Sequence, residues 1–347
     1  MRISNLFSTL TLCFLFLFPQ TVNAHNRFDL ETLYQQALLR NRQYQSAKIE
    51  FEIKRLQLIQ TEFEHERQGA IIALRRAESS FLTAERELEM IAKDLRLMVE
   101  SQYYSYLNLL EQIAIVEKEI ALLTEEVQIA EASFREGKLT QYDLDLLRQE
   151  LGVLEFQLQS LNRKVESAKI QILVVVGVPL NTEFELESAF GQIKLQPIEI
   201  EFEIATIIRL LEENNVELLR LQDELQIAEL EQSVADFSSP VIKEIKFLQN
   251  QVFQLQYQKT LDELVLHTLE IIEHLRSLEE QYELTKRRIK SAEEHKRLLE
   301  AKWREGLIIH TAVLRAELDL KKLNFELRQI ANEYRLAILT LCKFGLL

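Results

Sequence analysis

The sequence predicts an all-α protein: long antiparallel helical hairpins in coiled-coil packing, arranged as two tandem structural repeats. Three observations predict it. Glycine and proline are scarce, 7 and 4 in 347 residues, and the residues that cost least in a helix (Leu, Glu, Gln, Lys, Arg and Ala) dominate. Apolar residues recur at alternating steps of three and four, whose mean of 3.5 is the seam of a left-handed coiled coil. The third observation is a segment that recurs 169 residues downstream of its first copy.

Residues 1–24 carry the features of an export signal: Arg2, an apolar run from Leu10 to Phe18, and small residues at Val22-Asn23-Ala24. The run is shorter than the ~20 residues of a spanning helix, so the mature chain is expected to begin near His25. Cys13 then leaves with the signal, and Cys342 alone cannot form an intrachain disulfide. Packing must hold the fold.

The first repeat, 25–180, opens with a short helix around Leu30-Glu31-Thr32-Leu33 and an Asn-marked break at Arg40-Asn41-Arg42-Gln43-Tyr44. A longer helix follows, then a tight turn near Glu66 to Gly69. The ascending helix carries the seam Leu109, Ile113, Val116, Ile120, Leu123, Val127, Ala130, Phe134. Gly137 ends it, supplying the positive φ that closes a helix. The return helix carries Leu144, Leu147, Leu151, Leu154, Leu158, Leu161, Val165, Ala168, Ile172, Val175. Val153, Phe156, Ile170 and Leu173 lie off that seam, which suits a helix with two neighbours.

Residues 181–202 read as an extended connector, with Gly191, Pro197 and the alternation Ile198-Glu199-Ile200-Glu201-Phe202. The second repeat, 203–347, repeats the plan. Ile204-Ala205-Thr206-Ile207 precedes a break at Asn214-Asn215, and a turn is expected near Phe237 to Pro240. Its ascending seam is poorer, with Thr285, Lys296 and Trp303 among its members, so that helix is expected to face water or a lumen in part. Its return seam, Val313 through Phe344, keeps the three-four alternation.

The two tips match most closely. Glu131-Ala132-Ser133-Phe134-Arg135-Glu136-Gly137 and Glu300-Ala301-Lys302-Trp303-Arg304-Glu305-Gly306 share five identities. With the duplicated order of short helix, Asn break, long helix, glycine tip and return helix behind an export signal, the chain resembles the TolC-like outer-membrane efflux protein family over roughly residues 29–345. Both Asn motifs lack the proline usual in that family.

The resemblance implies a homotrimer whose helices form a hollow α-barrel across the periplasm of a Gram-negative-type envelope. It also implies, as partners, a periplasmic adaptor (membrane fusion) protein and an inner-membrane transporter. Arg135, Gly137, Leu139, Arg304, Gly306 and Leu307 would then form the tip that meets the adaptor, with Asp143 near a constriction of the lumen. In the second repeat, Ala312 and Arg315 stand where the family often has acids.

One departure is pronounced. The family places a β-hairpin between the Asn helix and the long helix of each repeat, and membrane strands need ~9–11 alternating residues. Neither interval supplies them, so an α-barrel protomer without membrane β-strands is expected. A barrel-less envelope scaffold is the alternative to a transport tube.

Other functions are disfavoured. A net charge of −14, or −15 once Arg2 is removed with the signal, is the wrong sign for nucleic acid. The six His are scattered, with no His-Glu-x-x-His, so no metal or other cofactor is expected. Glu125-Glu126, Glu212-Glu213 and Glu279-Glu280 read as solvated helix faces. No enzymatic activity is expected.

Overall fold

The computed structural model describes residues 27–186, 195, 203–235 and 239–347. The export signal and the Ile198–Phe202 alternation therefore lie outside the described residues. Each repeat contains four helices. In the first they are α1 (Leu30–Arg40), α2 (Arg42–Gln68), α3 (Ile71–Arg135) and α4 (Gln141–Val176). The second has α5 (Ile204–Asn214), α6 (Val216–Ala235), α7 (Pro240–Arg304) and α8 (His310–Phe344). Both ascending helices, α3 and α7, are 65 residues long, about 100 Å at ~1.5 Å per residue.

Local chemistry sets the boundaries. Asp29 caps α1 by accepting from the Thr32 amide at 2.7 Å, and Asn41 caps α2 by accepting from Tyr44 N–H at 3.0 Å. Asn215 does the same for α6, accepting from the Glu217 and Leu218 amides. Gly69, with φ 68°, closes α2, and only Ala70 separates it from α3. Pro240 starts α7 at a position where its missing N–H costs nothing. With α6 ending at Ala235, both expected turns are too short to hold a pair of membrane strands.

The six longer helices form one layer, against which the short α1 packs on α3 and α4 and the short α5 on α7 and α6. Toward the glycine tips α4 packs on α3, α3 on α8 and α8 on α7; toward the other end α2 packs on α3, α3 on α6 and α6 on α7. α2 continues the line of α4, and α6 that of α8, across the Asn breaks. The Asn41 side-chain amide donates to the Val175 carbonyl at 2.8 Å, and Gly177, the left-handed cap of α4, lies directly on the Arg40 carbonyl. Gly345, which caps α8, sits in the same way on Asn214. Two outer members remain, the α4–α2 line and α7, and among the described residues they share no extended contact.

Apolar burial follows the seams. One core gathers Leu33, Ala37, Leu95, Val99 and Ile172 where α1 meets α3 and α4. Its counterpart gathers Ile207, Leu211, Leu278 and Leu341. The weaker seam of α7 is buried at Leu278, Tyr282 and Thr285 but only partly covered from Ile289 to Leu299, and Trp303 is exposed, in line with its poorer composition.

An ion-pair ladder fastens the repeats together where α3 runs antiparallel to α8. Its rungs are Glu126–Arg315 at 2.6 Å, Glu119–Lys322, Glu111–Arg328, Glu100–Arg335 and Asp94–Lys343 at 2.8 Å. Lys118–Glu317 at 3.0 Å adds a rung of reversed sign. Glu100 is the one fully buried carboxylate of the ladder. Burial and the nearby Glu100 charge push the Tyr104 hydroxyl up to about 12.

Further from the tips α3 and α6 are joined by Arg86–Asp223 and Arg76–Glu231, and Glu231 also accepts from Lys246 of α7 at 2.6 Å. That shared carboxylate sets Arg76 and Lys246, and so α3 and α7, level along the molecule. The Lys246 hydrogen bond, and then Arg76, hold the Glu231 carboxyl below its usual range. A lowered folded-state value stabilises the fold at neutral pH and loses that contribution as pH falls through it. Thermal melts between pH 3 and pH 7 are expected to show less acid sensitivity in Glu231→Gln than in the wild type; parallel curves would remove the assignment.

Among the described residues one short strand pair interrupts the helical plan. Arg27–Phe28 (β1) and Glu185–Leu186 (β2) form a two-residue parallel bridge, with the Phe28 and Phe184 rings 6.4 Å apart. It clips the two residues just before Asp29 and α1 to the segment after α4.

Candidate functional site: the tips and the open edges

Both tips are built the same way. Gly137 and Gly306 have φ of 72° and 73°. The next amide reaches back to the carbonyl five residues earlier, Lys138 to Ser133 and Leu307 to Lys302, at 2.9 Å each, which is the Schellman closure. Arg135 points to solvent, its side chain 78% exposed, with Glu131 3.9 Å away. Leu139 turns inward onto Val127, Ala130 and Leu144. Leu307 is exposed, as are Arg304 and Gly306.

The six tip residues thus divide. Arg135, Gly137, Arg304, Gly306 and Leu307 offer surface, whereas Leu139 anchors the first tip to its core. Phe134, Tyr142, Trp303 and Ile309 add exposed apolar area that the sequence reading left out; the Trp303 and His310 rings lie 4.7 Å apart. Phe134 and Trp303 are a matched pair in the repeat, and each closes an ascending seam at the point where the tip leaves it exposed.

Asp143 has a structural task. Its carboxylate accepts from the Thr140 hydroxyl at 2.6 Å and from the Thr140 amide at 3.3 Å, while the Asp143 amide donates to the Thr140 hydroxyl at 3.2 Å. This capping box starts α4, and the Thr-x-x-Asp spacing announces it. At the second tip Ile309 and Ala312 occupy those positions, and α8 starts without a side-chain cap. Arg315 is taken up by the Glu126 rung.

The open edges are the larger surface. On α4, Leu146, Val153, Phe156, Ile170 and Val174 are each 49–65% exposed, on the flank away from α3. Leu173 is instead buried against the core. α8, the counterpart of α4, has neighbours on both sides and few exposed apolar residues. Among the described residues no helix is long and apolar enough to cross a membrane.

No protein-family model and no curated protein matches this sequence. Solved structures do match. The chain is similar to CusC, described in a study of conformational changes accompanying folding and transmembrane channel formation (TM-score 0.70, 13% identity, 91% of this chain and 92% of that chain). It is also similar to the outer membrane protein VceC of Vibrio cholerae (0.65, 12%, 91% and 96%). A third match is the CmeC outer membrane channel of Campylobacter jejuni (0.67, 14%, 91% and 85%). At these identities the likeness speaks for the fold, which is that of the TolC-like helical tunnels.

Proposed function

We propose that this protein is a component of an envelope efflux or secretion system. Three copies close into a periplasmic helical tube, and the glycine tips dock an adaptor protein that in turn engages an inner-membrane transporter. The observation that carries the reading is the pair of open edges. α4 and α7 each have one packed flank and one bare flank, and on α4 the bare flank repeats apolar residues in heptad steps. Such rows invite another helix.

The internal repeat supplies the contact. Within the chain α3 packs on α8; shifted by 169 residues, the offset of Arg135 from Arg304, the same contact becomes α7 on the α4 of a neighbouring copy. In that register the ladder residues Arg315, Lys322 and Lys343 are replaced by Leu146, Val153 and Val174. Contacts of this type run head to tail and must close into a ring or grow into a filament. Similarity to outer-membrane channels favours the ring.

Asp143, one turn beyond the first tip, would place a carboxylate from each copy near the docking end. The short α2–α3 and α6–α7 turns make the tube end without a membrane hairpin at either site, so attachment to the outer membrane would lie elsewhere.

Sedimentation of the mature protein with negative-stain imaging tests the tube: a hollow three-fold ring supports it, and a single-chain particle discards it. The tip assignment is tested separately. The double variant Gly137→Asp, Gly306→Asp is expected to keep its helical circular dichroism and to lose the co-purifying envelope adaptor; retained adaptor would remove the tip. Nothing within 4 Å meets an added Cβ at either glycine, so the change costs the folded hairpins only the ~1–2 kcal/mol per site of an L-residue at positive φ.

A further inference from the structure

Behind the second tip, α7 carries a row of cations without counter-ions. Arg287, Lys290, Arg297 and Arg304 follow one another at steps of three and seven and are all exposed. None takes part in an ion pair among the described residues, and the Arg287 guanidinium reaches only the Glu283 carbonyl, at 3.4 Å. The stretch from Arg287 to Arg304 holds seven basic and three acidic residues, a net of +4, in a chain whose net charge is −14. The matching stretch of α3, Lys118 to Arg135, holds two basic and four acidic residues, a net of −2. The row therefore belongs to the second repeat alone and is not a relic of the duplication.

We infer that this row takes a helix of the adaptor that carries acids at matching steps along one face, so that the second hairpin holds its partner from the side as well as at the tip. The inference rests on the docking reading above and names the chemistry that the adaptor must present. Three observations support it.

Position on the wall is the first. The row is in heptad register with Leu269, which packs on the core containing Ile207 and Leu211 of α5. The seam of α8 against α7 keeps its three-four alternation, so residues seven apart stay on one side of α7. The row thus shares the side of the layer that carries α5. A closed ring of three such walls, at ~8–10 Å between helix axes, leaves a lumen only ~25 Å across, which α1 and α5 of every copy would fill. They belong outside, and the row with them.

The second is that the row survives ring closure. α3 is packed on both flanks within the chain, yet the residues at the matching positions, Lys118, Ala121, Gln128 and Arg135, are exposed. A neighbouring copy packed on α7 in the same manner leaves the row uncovered. Lys118 pairs with Glu317, but the residue at the place of Glu317 in the neighbour is Arg148, which offers Arg287 no counter-ion. A second copy of this chain is therefore not what neutralises the row.

Shape is the third. Steps of seven set charges ~10 Å apart, and the row runs ~25 Å along α7 at ~1.5 Å per residue. Acids at every seventh residue of a helix lying alongside have the same spacing, which is how charged rows choose partners in coiled coils. Glu294 is the one acid within the row, and Arg304 is itself a tip residue, so row and tip form one continuous surface. The first hairpin has Ala121 and Gln128 in place of Lys290 and Arg297. The two tips of one chain match in backbone and differ in the charge that stands behind them.

The test uses the full mature chain and the double variant Lys290→Glu, Arg297→Glu. Both side chains are exposed and outside the tip, so helical circular dichroism is expected to stay unchanged. The probes are two helical peptides of one composition, the first with Glu at every seventh residue along one face, the second with the same Glu scattered around the helix. In ~0.1 M salt the unsubstituted protein is expected to bind the first at least tenfold more tightly, and to lose that preference in ~1 M salt. The double variant should lack the preference at either salt concentration. Equal binding of the two peptides would reduce the row to unspecific charge attraction and overturn the inference. Tighter, row-dependent binding of inorganic polyphosphate or of phosphatidylglycerol vesicles would overturn it by reassigning the row to a phosphate ligand.

Co-purification of the envelope adaptor separates the row from the tips. Adaptor lost from the Lys290→Glu, Arg297→Glu variant and from the Gly137→Asp, Gly306→Asp variant upholds both assignments. Loss with the charge reversal alone upholds the row and removes the tips. Loss with the glycine changes alone removes the row and leaves the tips standing, and retention by both variants removes both.

Discussion

Phe156→Asp together with Val153→Asp is expected to convert the assembled particle to single chains without unfolding them. Both side chains stand about two-thirds exposed on the bare flank of α4, so the isolated fold gains little from them. In the proposed ring each would be buried against α7 of a neighbour, a gain of ~1.5–3 kcal/mol per large apolar side chain. Removing two of them from every contact, and adding charge, takes away several kcal/mol per interface, a hundredfold or more in association at ~1.4 kcal/mol per decade. Sedimentation should show a monomer with unchanged helical circular dichroism. An unaltered oligomer would mean that α4 is not the joining edge.

The second large effect falls on folding itself. Gly177→Ala is expected to cost ~3 kcal/mol or more, combining ~1–2 kcal/mol for an L-residue held at positive φ with overpacking of ~1–3 kcal/mol. The overpacking is specific: a Cβ at Gly177 would lie 2.4 Å from the Arg40 carbonyl oxygen and 2.7 Å from its carbon, and both are backbone atoms that cannot swing aside. Gly137→Ala is the control. It has a similar φ of 72° but open space around it, so only the backbone cost should appear. Urea denaturation of the two variants should separate them by more than 1 kcal/mol; equal losses would show that the α1–α2 break yields without penalty.

Much of this architecture is legible in the sequence because coiled-coil packing is periodic. The seams from Leu144 to Val175 and from Val313 to Phe344 are buried or half-buried along their length, as alternating steps of three and four require. Gly137 and Gly306 announced themselves as left-handed caps because few other residues adopt that conformation cheaply; Gly69 announced only a turn, and the structure makes it a left-handed cap as well. Asn41 and Asn215 marked breaks, and the structure adds the mechanism, since each amide side chain starts the helix that follows.

What the sequence withheld depends on helices distant in the chain. Nothing local to Glu126 points to Arg315, and nothing near Gly177 names Arg40 as its neighbour. The bridge of Arg27–Phe28 with Glu185–Leu186 is too short to leave a pattern of its own. At the tip the difficulty was different. Thr140 and Asp143 have capping-box spacing, but the resemblance drew attention to Asp143 as a lumen residue and away from its bond to Thr140.

The ladder between α3 and α8 bears on a problem every duplicated chain must solve. Two similar halves offer nearly interchangeable helices, and a nascent protein could dock its first return helix where its second belongs. α8 brings Arg315, Lys322, Arg328, Arg335 and Lys343 to the acids of α3. The matching positions of α4 are Leu146, Val153, Gln159, Glu166 and Val174, which carry no positive charge at all. The acidic stripe of α3 therefore works as an address label: on that flank it suits α8, and it leaves α4 to the apolar seam of α3.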